Sequence, residues 1–210
     1  MGRRHSSQER QDRREAFLDA AIAVVRRDGH TASMEAMARE AGVTKPILYR
    51  MFGDRNGLLE AIGERFATEL AGVLAQALAG GSDGTASVTP EQMLRSAIDA
   101  YLGLVDRDPE LYRFLTAQLA TAPSQPIATL ADQFARGIAV VLSQQLRAVH
   151  ADSGAAEPWA YALVGMVHLA GDWWVTRRTI SRDALVDYLV VLVWDGLATL
   201  VPEDADTATI

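Results

Sequence analysis

Cysteine is absent from the 210-residue chain, which excludes disulfides, thiolate metal sites and a cysteine nucleophile and suits a reducing cytosol. The N-terminal stretch MGRRHSSQERQDRRE lacks an apolar signal core, so we do not expect secretion. A membrane-length hydrophobic run is also missing, because the most apolar tract, 188–194, is bounded by Asp187 and Asp195. These absences predict a soluble, cytoplasmic protein.

Strand-like alternation, hairpin turns and internal repeats are missing as well. Apolar residues instead recur at helical spacing, and hydrophobic residues make up 49% of the chain, enough for a sizeable core. Loop composition separates the helical stretches at 80–87 and 151–157. The sequence therefore predicts an all-α protein of about nine helices.

The stretch 31–55 predicts two short helices that meet at a glycine. Ser33, or the nearby Thr31, can cap the first helix, and Gly42 breaks it at a turn that favours positive φ. Val43 is expected to be buried in the turn. Thr44 is expected to cap the second helix, with Pro46 in its first turn, where the missing N–H costs nothing.

The second of these helices has an outward face suited to DNA. Lys45, Pro46, Tyr49 and Arg50 lie on one side, while the apolar residues of 47–52 turn inward. A helix this short must be held by neighbours. Two helices joined at a tight turn, the second presenting cations, predict a helix-turn-helix that enters the major groove. The alternative is a solvated face without a DNA role.

At these residues the sequence resembles the TetR family of bacterial transcriptional regulators. The resemblance is carried by AGVTKPILYRMFGDRNGLL within residues 10–70. One departure is the pair Ala32-Ser33, where the family usually has Thr-Thr or Thr-Ser. The expected DNA-contacting residues are those of the capping and outward positions together with the start of the next helix: Thr31, Ser33, Thr44, Lys45, Pro46, Tyr49, Arg50 and Arg55.

Each of these residues has an expected contact. Lys45 and Arg50 can donate to guanine O6 and N7. Tyr49 and Thr44 are placed for phosphate oxygens, and Arg55 adds charge beside the free N–H groups of a helix start.

Charge is unevenly distributed along the chain. The net charge is −7, yet residues 1–60 carry eleven basic and nine acidic residues, a balance of +2 against −9 for the rest. A duplex responds to the local potential of the docking face, so the acidic total does not exclude DNA. We expect a flexible basic arm at 1–9, a helix-turn-helix domain at 10–56, and a ligand-binding and dimerisation domain at 57–210. The arm is either a frayed terminus or a minor-groove or phosphate contact made by Arg3 and Arg4.

The last two helices, predicted at 158–178 and 182–200, are apolar on more than one side. Such a helix is buried all round. The extra cover is expected to come from a second copy through a two-fold four-helix contact, as the resemblance also implies, or else from burial within one chain.

The second half has no motif of an enzyme or a cofactor site. The four histidines do not have zinc-ligand spacing, and His168 and Asp172, four residues apart, suggest a hydrogen-bonded pair more than a metal pair. The resemblance implies a small-molecule pocket here. The candidate lining residues, each of which could instead be plain core, are Tyr101, Phe114, Gln118, Phe134, Met166, His168, Asp172 and Trp173. Their apolar character suggests a hydrophobic effector.

The sequence thus predicts a homodimeric, sequence-specific DNA-binding repressor that a small hydrophobic effector releases from its operator, with no cofactor. One alternative is a module of the same fold that acts through protein partners or carries a ligand without binding DNA. A hydrolase in the helical cavity is a second alternative. Activation is the alternative to repression.

Overall fold

The computed structural model describes residues 2–79, 89–119, 126–148, 150 and 152–196. Within these ranges the chain is all-helical, as predicted, and has nine α-helices: α1 Gly2–Asp28, α2 Met34–Glu40, α3 Lys45–Phe52, α4 Arg55–Ala79, α5 Pro90–Arg107, α6 Pro109–Leu119, α7 Pro126–Ala148, α8 Ala156–Arg177 and α9 Arg182–Trp194. Short 3-10 turns at Gly29–Thr31 and Ser153–Ala155 precede α2 and α8. None of the described helices combines the length and apolar character of a membrane span.

Two helix boundaries differ from the prediction by more than two residues. The first helix begins at Gly2 rather than near Gln8, so the expected arm at 1–9 continues α1 from its second residue. The last helix ends at Trp194, because Asp195 is its C-cap and Gly196 takes a φ of 72°. The remainder of the predicted final helix, 197–200, lies outside the described residues.

Side-chain caps fix the starts of α4, α5 and α9. Thr89 and Gln92 form a reciprocal box at α5, in which each backbone N–H donates to the other side chain, at 3.0 and 3.2 Å. Asp54 accepts from the N–H of Gly57 at α4 (2.8 Å), and Ser181 accepts from that of Ala184 at α9 (3.2 Å).

The chain forms two compact units. The first comprises Met1–Ala71 and Arg107–Gln133, and the second comprises Gly72–Asp106 and Phe134–Ile210. This division differs from the expected boundary after residue 56, since most of α4 and all of α6 belong to the first unit. Sequence order could not show this, because α6 joins α1 only through tertiary packing.

Each unit has its own core. In the first, α1, α3, α4 and α6 bury apolar side chains, and the rings of Phe66 and Tyr112 lie 6.5 Å apart. In the second, one cluster joins α5, α8 and α9: Ile98, Leu102, Trp174, Leu185, Val186, Leu189 and Val190.

Candidate DNA-binding surface

The turn between α2 and α3 has the predicted glycine geometry. Ser33 caps α2 by accepting from the N–H of Ala36 at 3.2 Å. Gly42 follows α2 with a φ of 66°, a conformation that side chains other than glycine rarely adopt. The N–H of Val43 donates back to the carbonyl of Ala38 (2.9 Å), which closes the turn.

Two details of the predicted turn are wrong. Thr44 has the extended backbone of an N-cap, but its side chain makes no capping hydrogen bond. Val43 is half-buried rather than buried. Thr31, the alternative cap for α2, instead donates its hydroxyl to the carbonyl of Asp28 at 2.6 Å. It therefore closes the end of α1, and the cap of α2 belongs to Ser33.

The inward face of α3 fixes this short helix to the rest of the first unit. Leu48 is fully buried and Phe52 nearly so, while Ile47 and Met51 are half-buried. The guanidinium of Arg14, on α1, lies 5.3 Å from the centre of the Phe52 ring. The helix is thus held by tertiary contacts, as its length required.

The outward face of α3 is the predicted one. Lys45, Pro46, Tyr49 and Arg50 are all exposed, and 39% of the surface of Tyr49 is accessible. Arg50 has no hydrogen-bond or ion-pair partner among the described residues. The unpaired guanidinium of Arg50 and the exposed phenol of Tyr49 are therefore available to phosphates or base edges.

Lys45 has a partner that sequence reasoning missed. Its ammonium lies 3.1 Å from Oε2 of Glu35, on the first turn of α2, and Arg39 lies 4.0 Å from the other carboxylate oxygen. The hydrogen bond from Lys45, its positive charge and that of Arg39 lower the pKa of the Glu35 carboxyl. The ten-residue spacing gives no helical-pair signal, so only the fold of the turn reveals the contact.

The segment after α3 places Arg55. Gly53 takes a φ of 82°, and Asp54 caps α4. Arg55 is therefore the first residue of α4 and is exposed at the helix start, as predicted.

A second unpredicted contact attaches α6 to α1. Asp108 immediately precedes α6 and is only 7% exposed. Arg26, near the end of α1, donates from Nε to its carboxylate at 2.6 Å. A β-carbon on Gly29 would lie 2.9 Å from a carboxylate oxygen of Glu110. The start of α6 therefore packs directly on the turn that leads into α2.

The candidate pocket residues are only partly brought together. In the second unit, Tyr101 and His168 share a hydrogen bond of 3.0 Å between Oη and Nδ1, and Tyr101 and Met166 pack against the core cluster. Asp172 and Trp173 are exposed. The remaining three are Phe114, buried in the first unit, Phe134, half-buried on α7, and Gln118, whose side chain lies outside the described residues.

A groove of about 760 Å³ lies in the first unit, among α1, α4 and α6. Its lining includes apolar side chains such as Leu18 and Phe66. It also includes Arg65, which forms ion pairs with both Glu15 and Asp19. The residues that line it include none of the predicted pocket residues.

The partial burial of His168 predicts that the stability of the protein depends on pH. Burial lowers the pKa of His168, and the nearby carboxylate of Asp172 opposes this only in part. The unfolded chain therefore takes up this proton first as the pH falls, so the free energy of unfolding decreases from about pH 7 downwards through the unfolded pKa of about 6.5. His168→Gln keeps a hydrogen-bonding group but cannot titrate. Urea unfolding at pH 7.5 and 5.5 should show a smaller acid loss for this variant; an identical loss would contradict the assignment.

The outer faces of α8 and α9 are apolar. The large exposed side chains on these helices are Trp159, Tyr161, Leu169, Trp173, Tyr188, Val191 and Trp194. The opposite face of α9 is buried in the core cluster, for example at Leu185 and Leu189. Large apolar side chains left exposed on two consecutive helices indicate an interaction site.

Two helices joined by a tight glycine turn, the second rigidly held and cationic outward, define a helix-turn-helix DNA-binding protein. Residues 17–62 match the model of the bacterial regulatory proteins of the tetR family, and residues 85–209 match that of the tetracyclin repressor-like C-terminal domain. The chain belongs to the TetR family and is a DNA-binding transcriptional regulator.

Individual relatives agree with this assignment. The chain is 36% identical over 200 residues to the uncharacterized HTH-type transcriptional regulator Rv0472c of Mycobacterium tuberculosis, covering 95% of this chain and 83% of that protein. It is 29% identical over 202 residues to the HTH-type transcriptional activator FasR of Mycolicibacterium smegmatis, covering 93% and 88%.

Solved structures show the same fold. A TetR-like transcriptional regulator from Rhodococcus sp. RHA1 matches with a TM-score of 0.66 and 30% identity, over 89% of this chain and 96% of that one. The fatty acid degradation regulator FadR from Bacillus halodurans matches with a TM-score of 0.61 and 17% identity, over 85% and 96%. The second likeness concerns the fold alone.

Proposed function

We propose that the protein is a cytoplasmic homodimeric repressor whose two α3 helices enter major grooves of a pseudo-palindromic operator. The observation that carries this proposal is the exposed set Lys45, Pro46, Tyr49 and Arg50 on a helix locked by the buried Leu48. In a two-fold dimer the grooves would lie roughly 34–36 Å apart, or a multiple of that distance.

Phosphate contacts would surround these base contacts. Tyr49, Thr44 and Arg55 have exposed polar groups near the ends of α3, and Ser33 and Thr31 lie at the start of α2. Neutralising several phosphates makes affinity fall steeply with salt. In this proposal the phosphate contacts position the protein on the duplex, and the base contacts of α3 recognise its sequence.

Substitution of α3 tests this surface. Lys45→Ala and Arg50→Ala each remove a base-contacting cation, and Tyr49→Phe removes one hydroxyl. We expect operator affinity to fall by roughly 5- to 150-fold for each cation, corresponding to about 1–3 kcal/mol, and less for Tyr49→Phe. Fluorescence anisotropy with the DNA upstream of the gene, at several salt concentrations, measures these losses.

The control variant is Arg147→Ala, which removes an exposed cation from α7. It should leave affinity and its salt dependence unchanged. Unchanged binding in all three α3 variants, with normal melting temperatures, would remove the proposed contact surface. A complete lack of DNA binding by the native protein at low salt would favour a module that acts through protein partners.

Activation is the second candidate, and the similarity to FasR, which is named as an activator, favours it. The same α3 surface would serve either outcome. A reporter driven by the upstream DNA distinguishes them, because deletion of the regulator raises expression under repression and lowers it under activation.

The effector site is proposed in the second unit, around the hydrogen-bonded Tyr101 and His168 and the neighbouring Met166. Apolar surface with a few polar groups suits a hydrophobic molecule that carries one hydrogen-bonding group. An effector must bind the released state more tightly than the DNA-bound state. A melting screen with hydrophobic acids and alcohols should reveal stabilising ligands, and His168→Phe should abolish the shift.

A further inference from the structure

Glu35 occupies an unusual place for an acidic residue in a DNA-binding surface. It is exposed on the first turn of α2, and its carboxylate lies 3.1 Å from the ammonium of Lys45. Lys45 is the only lysine in the chain. The DNA phosphates repel a nearby carboxylate. A favourable contact between Glu35 and the DNA would have to offset this repulsion.

The position of this pair follows from the two helix starts. Glu35 is the second residue of α2 and Lys45 is the first residue of α3. The N-terminal residues of a recognition helix are those that contact base edges in the major groove. A group within hydrogen-bond distance of the Lys45 ammonium therefore reaches the same base edges when Lys45 does.

The chemistry of the pair suits a G·C base pair. In the major groove, G·C presents the guanine acceptors O6 and N7 beside the cytosine N4 donor. An ammonium donates to the former and a carboxylate accepts from the latter. We propose that Glu35 and Lys45 together read one G·C pair in each half-site, an inference that rests on the proposed DNA-binding role of α3.

Glu35 would act mainly by rejecting other sequences. Opposite a thymine O4 or a guanine O6, the carboxylate faces another acceptor and forms no hydrogen bond. Nothing then offsets its repulsion from the DNA phosphates. Specificity of this kind comes from a penalty on the wrong partner. A change of that cytosine to thymine or guanine should therefore lower the affinity of the native protein by roughly tenfold or more, with a much smaller loss when the carboxylate is neutral.

The experiment selects binding sites from a random duplex pool with the native chain, Glu35→Gln and the control Glu40→Gln. Glu40 is exposed on the same helix but pairs with Arg27, away from α3. The expected result is one G·C position per half-site that Glu35→Gln no longer enforces. Anisotropy titrations on matched duplexes should then show the tenfold penalty collapse, while binding to unrelated DNA becomes tighter. Glu40→Gln should keep the native motif.

Because Lys45 is the only lysine, its NMR signal provides an independent measure of its contact with DNA. Reductive methylation with ¹³C labels only Lys45 and the N-terminal amine, and it retains the positive charge. The Lys45 methyl signal should shift on binding the selected G·C site, and less on binding a duplex changed at that position.

Two results would overturn the inference. If Glu35→Gln selects the native motif and only tightens binding to all DNA equally, Glu35 is merely an unfavourable surface charge. If the native chain itself selects no motif, this refutes the proposed recognition of DNA sequence by the whole α3 surface, and not only the role of the Glu35–Lys45 pair. Equal melting temperatures for the three proteins ensure that folding does not account for any difference.

Discussion

The variant Leu169→Glu, Tyr188→Glu is expected to exist in solution as a single chain, whereas the native protein is expected to form a dimer. Leu169 on α8 and Tyr188 on α9 are 67% and 64% exposed, the most open large apolar side chains on these helices. In a two-fold contact each charge would be buried without a partner. Burying an uncompensated charge costs about 3–5 kcal/mol, which corresponds to a loss of roughly a hundredfold or more in dimer affinity.

Light scattering at micromolar concentration measures this change directly. The control is Val140→Glu, which places the same charge on an exposed valine of α7 and should leave the native mass unchanged. Operator binding should weaken together with dimerisation, because a second half-site contact raises apparent affinity by about 10²–10⁴ when both sites are linked. A single-chain mass for the native protein would refute the two-fold contact and leave the apolar faces of α8 and α9 without their proposed partner.

Gly57→Ala is expected to cause the second large effect. A β-carbon built on Gly57 would overlap the backbone oxygen of Phe52 and lie 3.2 Å from its carbonyl carbon. Backbone cannot yield as a flexible side chain does, so α3 and α4 must shift apart. Overpacking of this kind costs about 1–3 kcal/mol, or roughly 2–12 °C in melting temperature for a chain of this size.

The effect on DNA binding should exceed the effect on stability. Phe52 ends α3, so any adjustment there moves the outward cations relative to the rest of the unit. Misplacement by about 1 Å is enough to spoil a binding site. Circular dichroism melts and anisotropy titrations on the same preparation separate the two effects.

Gly72→Ala is the matched control on the same helix. A β-carbon on Gly72 would meet nothing within 4 Å. Alanine is favoured over glycine in a helix by about 1 kcal/mol, so this variant should be equal to the native protein or more stable. If Gly57→Ala melted and bound DNA like Gly72→Ala, the close approach of α4 to the end of α3 would not be a constraint.

Local signals in the sequence located α2 and α3 well. Gly42 and Ser33 could be interpreted without tertiary information, because positive φ and helix capping are properties of a few consecutive residues. Thr44 shows the limit of this reasoning. It is the right residue type at the right backbone position, yet its hydroxyl makes no capping bond.

Contacts between distant parts of the chain could not be predicted. Arg26 and Asp108 are 82 residues apart, and no periodicity connects them. The same applies to Tyr101 and His168, which are 67 residues apart, although each was a candidate for the pocket by residue type. The predicted pocket therefore stays a prediction, since its members are placed in different units or on exposed faces.

By itself, the sequence determined the all-helical class, the position of the helix-turn-helix and the residues on the outward face of α3. These follow from hydrophobic periodicity, turn chemistry and the spacing of a known family. Only the tertiary structure decided that Glu35 accompanies Lys45, that Asp108 fastens α6 to α1, and that the apolar faces of α8 and α9 remain open in one chain. The reason is that packing brings together residues whose separation along the chain carries no pattern, and pairing of this kind can be seen only in three dimensions.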